Sequence, residues 1–248
     1  MNRKVSIITP CYNSEKYIEK TIKSVQSQTY ENWEMLIVDD KSTDNSVSII
    51  KNLSIKDSRI KLFSLKENMG AAHTRNYALE RVSGDFVAFL DSDDLWKNNK
   101  LEKQLDFMIK NNAKITYTSY DCIDEEGVSL DSSRLVEGKV SYSKLLKNNV
   151  MGCLTVMFDV KYFSDFQMPL IRKRQDFALW LKLLKQVDYA YALEESLALY
   201  RIREISVSSN KIDLLKWNWK LFREIEKFSI LRAFYYLIFN VILKLLKK

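Results

Sequence analysis

Three carboxylates within four positions, Asp91, Asp93 and Asp94, close the apolar run Phe86-Val87-Ala88-Phe89-Leu90. Five residues rich in strand-forming types, stopped by acids, read as a buried parallel strand that delivers charge to its carboxyl end. Open α/β sheets bind ligands at that end. Asp91 and Asp93 would share one face, and two hard oxygen ligands there suit a divalent cation already bound to substrate phosphates. The other reading of these residues is a surface turn, with Asp93 or Asp94 capping the helix that begins near Lys97. A second acidic strand end, Asp39-Asp40, and Asp176 in the first turn of an apolar helix are the remaining candidates. A carboxylate at a helix start is also favoured by the helix dipole, so capping is the alternative for Asp176.

The elements that must position these groups follow from periodicity. Residues 5–9 form a strand ended by Pro10, and Ile18, Ile22 and Val25 mark a helix face within 15–28. Residues 33–38 form a second strand leading to Asp39-Asp40, after which Ser42-Thr43-Asp44 can cap a helix carrying Val47, Ile49, Ile50 and Leu53. A third strand over 59–65 precedes Asn68-Met69-Gly70 and a helix over 71–81, and Ser83-Gly84 turns the chain into the Asp91 strand. Four strand-then-helix units predict a doubly wound, mostly parallel sheet whose loops share one rim. Asp39, Asp40, Asn68, Arg75, Asp91 and Asp93 can converge there. Beyond a helix over 98–110 the pattern is less regular: a strand over 115–120, a short helix over 140–146, a strand over 154–158 and the helix after Asp176. This half is expected to shape the pocket of a second substrate.

At 248 residues, with scarce Gly and Pro and no linker-like stretch, the chain reads as a catalytic domain over 1–210 and a helical tail over 211–248. Within the domain, 1–110 is the donor-binding half and 111–210 the acceptor half. Cys11, Cys122 and Cys153 are odd in number and far apart, and His73 is the one histidine, which argues against a disulfide framework or a zinc site and fits a reducing cytosol. The start, Met1-Asn2-Arg3-Lys4, lacks the apolar core of a secretory signal, so no export is expected. Eleven Lys/Arg against four Asp/Glu after residue 200 account for the whole formal charge of +7. That distribution excludes a basic nucleic-acid face across the domain and suits a cationic tail on an anionic surface. In the tail, Leu214, Trp217, Leu221, Ile225 and Phe228 recur at helical spacing, and 230–246 is apolar except for Arg232, Asn240 and Lys244. The run is marginal for a membrane span and predicts a helix lying in the interface or packed on the domain; a core-closing hairpin or a homodimer contact is the alternative.

Six motifs in order resemble inverting family 2 nucleotide-sugar glycosyltransferases of the GT-A fold, and they reach to about residue 205. They are Val5-Ser6-Ile7-Ile8-Thr9-Pro10-Cys11-Tyr12-Asn13, Ser27-Gln28-Thr29-Tyr30, Ile37-Val38-Asp39-Asp40-Lys41-Ser42-Thr43-Asp44, Asn68-Met69-Gly70 with Ala72-His73-Thr74-Arg75-Asn76, Leu90-Asp91-Ser92-Asp93-Asp94-Leu95-Trp96, and Gln175-Asp176 with Leu179-Trp180-Leu181. Tyr200-Arg201 and Ser206-Val207-Ser208-Ser209-Asn210-Lys211 look like bacterial surface-polysaccharide transferases of the teichuronic-acid and O-antigen kind. The resemblance implies an α/β Rossmann-like sheet, a UDP-sugar donor and a donor-binding set of Pro10, Tyr12, Asp39, Asp40, Asn68, Arg75, Asp91 and Asp93. In it Pro10 and Tyr12 line the nucleobase pocket, Asp40 accepts from uracil, and Asp39 is a structural or ribose-side partner. Asp91 lies near ribose and metal, Asp93 ligates Mg²⁺ or Mn²⁺, and Asp176 is the base. Lys41 stands where the family usually has Gly, His73-Thr74 replaces small residues, and Gln175 replaces a common Glu.

The chemistry needs such groups: a leaving diphosphate requires charge stabilisation, and an acceptor hydroxyl requires one base opposite it for single-displacement inversion. Asp121 or Asp124 would be next in line as base. The implied acceptor is a glycan, above all a lipid-diphosphate-linked saccharide at the cytoplasmic face of the inner membrane, with Arg201, Arg203 and Lys211 placed to meet its diphosphate. A nucleotidyltransferase would show a Gly-rich phosphate loop where Pro10-Cys11-Tyr12-Asn13 stands. A non-catalytic nucleotide-sugar-binding module would be expected to lack Asp93 or Asp176, and both are present.

Overall fold

The computed structural model describes residues 3–203 and 211–245. Strands β1 (Val5–Cys11), β2 (Trp33–Asp39), β3 (Ile60–Ser64) and β4 (Phe86–Phe89) pair in parallel in the order β3-β2-β1-β4. They are apolar on both faces because helices cover both: Ile8, Leu36, Val38, Val87 and Phe89 feed one core, and Ile7, Met35, Ile37, Phe86 and Ala88 the other. The crossovers are α1 (Ile18–Gln26), α2 (Ser46–Lys56) and α3 (Ala71–Leu79), and α1 buries the predicted Ile18, Ile22 and Val25. A Cβ on Gly84 would meet the Lys4 carbonyl at 2.7 Å and the Ser6 nitrogen at 2.8 Å, so only glycine lets β4 enter beside β1.

The second half is β5 (Leu95–Trp96), α4 (Lys100–Lys110), β6 (Ile115–Ile123), β7 (Ser129–Arg134), β8 (Lys139–Val140), α5 (Tyr142–Lys147), β9 (Met157–Asp159), α6 (Gln175–Leu184) and β10 (Ala190–Arg201). Antiparallel β9 joins β4 to β6, and β10 runs parallel to β6 and antiparallel to β5. The expected helix over 140–146 opens instead as β8, because Val140 pairs with Ala190 before Ser141 caps α5. The expected strand over 154–158 starts as a 3₁₀ turn, Cys153–Thr155. Besides the two-residue β5 and β8, two longer strands went unforeseen. β10 is broken in pattern by Glu194-Glu195-Ser196, where its register with β6 shifts, and β7 is exposed throughout, so neither shows alternation to a reader of sequence.

The tail comprises α7 (Lys211–Lys220), a π-helical turn (Leu221–Ile225) and α8 (Ile230–Leu245). Leu221, Phe222, Phe228, Ala233 and Tyr236 lie in one core with Phe177 and Trp180. Buried Glu226 accepts from the Tyr142 hydroxyl and pairs with Lys185, and the Asn240 amide donates to the carbonyls of Leu146 and Tyr236. Thus Asn240, which looked like an interruption of the apolar run, points inward and is satisfied. Leu231, Phe234, Tyr235, Ile238 and Ile242 form an exposed stripe of helical spacing on the outward side. One helix therefore closes the core and presents an apolar face. No described helix is long and apolar enough to cross a membrane. The Ser206-Val207-Ser208-Ser209-Asn210 segment lies outside the described residues.

Candidate active site

Parallel pairing places the ends of β1, β2 and β4 on one rim, where backbone bonds tie Asp40 to Cys11 and Leu90 to Ile8. Side chains stitch the loops further: Ser42 Oγ accepts from the Asn13 amide, Asn13 Oδ1 from the Thr43 amide, and the Ser14 and Ser92 hydroxyls lie 2.7 Å apart. Tyr12 is exposed beside this seam, and Pro10 is half-buried. Lys41 adopts φ +63°, a left-handed conformation that disfavours a side chain with Cβ and that glycine would enter without strain.

The acids at the end of β2 are held by backbone. Asp39 accepts from the Ser42 amide at 3.1 Å. Asp40 accepts from the Met69 amide at 2.7 Å and the Gly70 amide at 2.8 Å, while Asn68 donates to the Asp40 carbonyl. Gly70 has φ +84°, so glycine permits the turn that aims both amides at one carboxylate. Asp40 thus fixes the Asn68–Gly70 turn at the mouth of α3, and any further acceptor capacity lies in the second lone pairs of its oxygens.

The acids at the end of β4 are held by arginines. Buried Arg75 on α3 pairs with Asp91 at 2.5 Å, and Arg203 pairs with Asp93 at 3.0 Å. Burial opposes the Arg75 charge, yet Asp91 beside it, with Cys153 and Asp176, holds the guanidinium more firmly protonated than usual. Burial and the charge of Asp91 push Asp93 above the ordinary carboxylate range, with Arg203 partly opposing. Asp94 is pushed well above it by burial and by Asp93 and Asp91, while accepting from the Arg201 amide at 2.9 Å. Neither acid caps a helix: β5 follows directly and α4 begins at Lys100. Sequence reasoning missed Asp94 as an anchor, Ser14 and Ser92 as stitches, and Thr21, whose hydroxyl donates to the carbonyls of Ser92 and Asp94, because their partners are remote in the chain.

Asp176 is half-exposed at the start of α6, and its charge reaches Arg75, Arg174 and the Cys153 thiol. Arg75 and Cys153 each feel both Asp91 and Asp176, so these carboxylates share one electrostatic neighbourhood. Asn76, next to Arg75, fixes the approach to α6: its amide donates to the Met168 carbonyl and accepts from the Met168 amide. The rival bases are engaged elsewhere. Asp121 pairs with Lys97 and accepts from Ser133, and Asp124 accepts from the amides of Glu126, Gly127 and Val128. Arg201 is not available to an acceptor diphosphate as expected. It is buried, donates to the carbonyls of Asp93, Asp124 and Glu125, and lies over the Tyr17 ring.

Among the described residues no three His, Cys, Asp or Glu side chains gather as a metal cage. Two hard carboxylates, Asp91 and Asp93, the second with its ionised form disfavoured by burial and by Asp91, fit a Mg²⁺ or Mn²⁺ that would take its other ligands from phosphates and water.

A parallel sheet with acids and arginines gathered at its carboxyl rim has the architecture of α/β proteins that bind ligands at that rim. Residues 6–169 match the profile of Glycosyl transferase family 2. The chain is 47% identical over 229 residues to the putative teichuronic acid biosynthesis glycosyltransferase TuaG of Bacillus subtilis, spanning 92% of this chain and 91% of that protein. It is 42% identical over 239 residues to the UDP-Glc:alpha-D-GlcNAc-diphosphoundecaprenol beta-1,3-glucosyltransferase WfgD of Escherichia coli, spanning 96% and 92%. The crystal structure of S. aureus TarS 1–349 with UDP-GlcNAc aligns at TM-score 0.74 and 22% identity, over 94% of this chain and 70% of that one. The protein belongs to glycosyl transferase family 2, has the GT-A fold and is a glycosyltransferase.

Proposed function

We propose that this protein moves a sugar, with inversion, from a UDP-sugar to a hydroxyl of a lipid-diphosphate-linked saccharide in bacterial surface-polysaccharide synthesis. The observation that carries this reading is the shared neighbourhood of Asp91, Arg75 and Asp176 at the carboxyl rim, in a chain 42% identical to a transferase named for such an acceptor. Tyr12 and Pro10 border the base, and Asp40 holds the turn that closes over the donor. Asp93 and Asp91 would hold Mg²⁺ or Mn²⁺, which when bound stabilises the charge of the departing diphosphate. Arg75 holds Asp91 in place, and Asp176 takes the acceptor's proton on the face opposite the leaving group. One base is enough, in keeping with Gln175 beside it.

The test is metal-dependent release of UDP from a panel of UDP-sugars, coupled to transfer onto lipid-diphosphate saccharides. Asp176→Asn is expected to keep donor affinity and to lower kcat by roughly two to four orders of magnitude. Activity within a few-fold of wild type would place the base elsewhere.

The tail supports a location at the cytoplasmic face of the inner membrane. Its exposed stripe lies with Arg232 and Lys147 close by, over the rings of Phe228 and Phe239, which joins apolar insertion to attraction for anionic lipid. Truncation before α8 would open the core at Ala233 and Tyr236, so point changes on the stripe are the sharper test. Leu231→Gln with Phe234→Gln is expected to release the protein from anionic vesicles in flotation, with thermal stability unchanged. Homodimerisation through the same face would instead show as concentration-dependent mass that these changes abolish.

A further inference from the structure

Of four arginines in or beside the candidate site, three have partners for some of their donors, although Arg75 Nε and one Arg201 Nη are enclosed without one: Arg75 binds Asp91, Arg203 binds Asp93, and Arg201 binds three carbonyls. The fourth is Arg174, the residue before α6 and two before Asp176. Its Nε is enclosed and has no hydrogen-bond partner. Its backbone is left-handed, at φ +69°, a conformation uncommon in residues other than glycine, asparagine and aspartate. A half-buried guanidinium with an enclosed, unspent Nε is costly, and the cost falls when an anion accepts from it. Burial weakens its hold on the proton, and the neighbouring Asp176 charge supports it.

We infer that Arg174 binds the diphosphate of the lipid-linked acceptor. The inference rests on the acceptor class proposed above and names the group that recognises it. A planar guanidinium fork matches two phosphate oxygens, whereas Lys offers a point charge. When the acceptor is a single sugar on its lipid diphosphate, the reacting hydroxyl and the diphosphate are substituents of the same ring. With that hydroxyl at Asp176, the diphosphate lies no farther away than the width of one sugar, which is the neighbourhood of Arg174. The donor diphosphate has the same chemistry but belongs with Asp91 and Asp93, so the two sources separate kinetically.

The experiment is steady-state kinetics of the full-length protein with a saccharide on an alkyl diphosphate as acceptor, for wild type, Arg174→Asn and Arg174→Lys. Asparagine removes the charge and tolerates the left-handed backbone. Arg174→Asn is expected to raise acceptor KM by roughly 10- to 100-fold, with donor KM and kcat within about threefold, and Arg174→Lys is expected to recover part of that loss. A sugar-free alkyl diphosphate should compete with the acceptor in wild type and lose at least tenfold in potency against Arg174→Asn. An unchanged acceptor KM, a rise in donor KM instead, or no competition in wild type would each overturn the inference. Should Arg174→Asn fail to fold by circular dichroism, wild-type competition and Arg174→Lys decide between the same outcomes. Wild type that transfers to no diphosphate-linked acceptor sinks the proposed acceptor itself; wild type that transfers while Arg174 is indifferent sinks only this assignment.

Discussion

The ends of β2 and β4 carry nearly the same acidic signature, yet the chain compensates them in opposite ways. Asp39 and Asp40 are answered by backbone amides, which cannot leave without unfolding the turn they belong to. Asp91 and Asp93 are answered by side-chain guanidinium groups, and that of Arg203 is partly exposed. The first pair builds the rim and the second keeps charge available on it. A carboxylate satisfied by amides is architecture; one balanced by a movable cation can trade it for another.

The sharpest way to break this contrast is to neutralise one member of each pair. Asp93→Asn is expected to lower transfer by roughly two to three orders of magnitude through loss of charge stabilisation. Its melting temperature should be unchanged or slightly higher, because the ionised form that burial disfavours is gone. A large drop in melting temperature would make Asp93 architectural like Asp40.

Asp40→Ala is expected to do the reverse. It strands the Met69 and Gly70 amides and should cost roughly 2 to 4 kcal/mol in urea unfolding. Donor affinity should fall because the turn loosens. Full stability with weakened donor binding would show that Asp40 serves the base directly and not the fold.

Lys100 supplies the third and smallest expected effect, as a buried charge with no counter-charge. It is fully buried, donates to Gln104 and lies 4.0 Å from the Trp96 ring centre. Burial pushes its pKa down to about 7. A base depressed in the folded state weakens the fold below that pKa, and the penalty fades as pH rises from about 7 toward 10.5, the unfolded value. Relative to Lys100→Met, wild type should therefore gain on the order of 2 kcal/mol between pH 6.5 and 9 in paired denaturation curves. A pH-independent difference would mean the ammonium finds a partner.

Much of the first half, through β4, was legible in the chain. Period and burial coincide in β1 to β4 because these strands are apolar on both faces, and acids at strand ends can only sit at the rim. β10 was not legible, since Glu194-Glu195-Ser196 hides a strand whose register slips at that point. Nor were the partners of the acids, which lie 16 residues away for Asp91 and more than a hundred for Asp94.

The sequence by itself determined which groups exist and in what order: the acidic strand ends, the apolar α6 after Asp176, and a basic, apolar tail. Local forces suffice for that, because hydrophobic period, turn chemistry and helix starts act over a few residues. Only the tertiary structure decided what each group does with its charge. It gave Asp40 to amides and Asp93 to Arg203, spent Arg201 on carbonyls, left Arg174 with an unpaired donor, and turned Asn240 inward so that α8 could close the core and still face outward. Those outcomes depend on distances between residues remote in the chain, and Coulomb and hydrogen-bond energies are set by distance and burial, which no local pattern encodes.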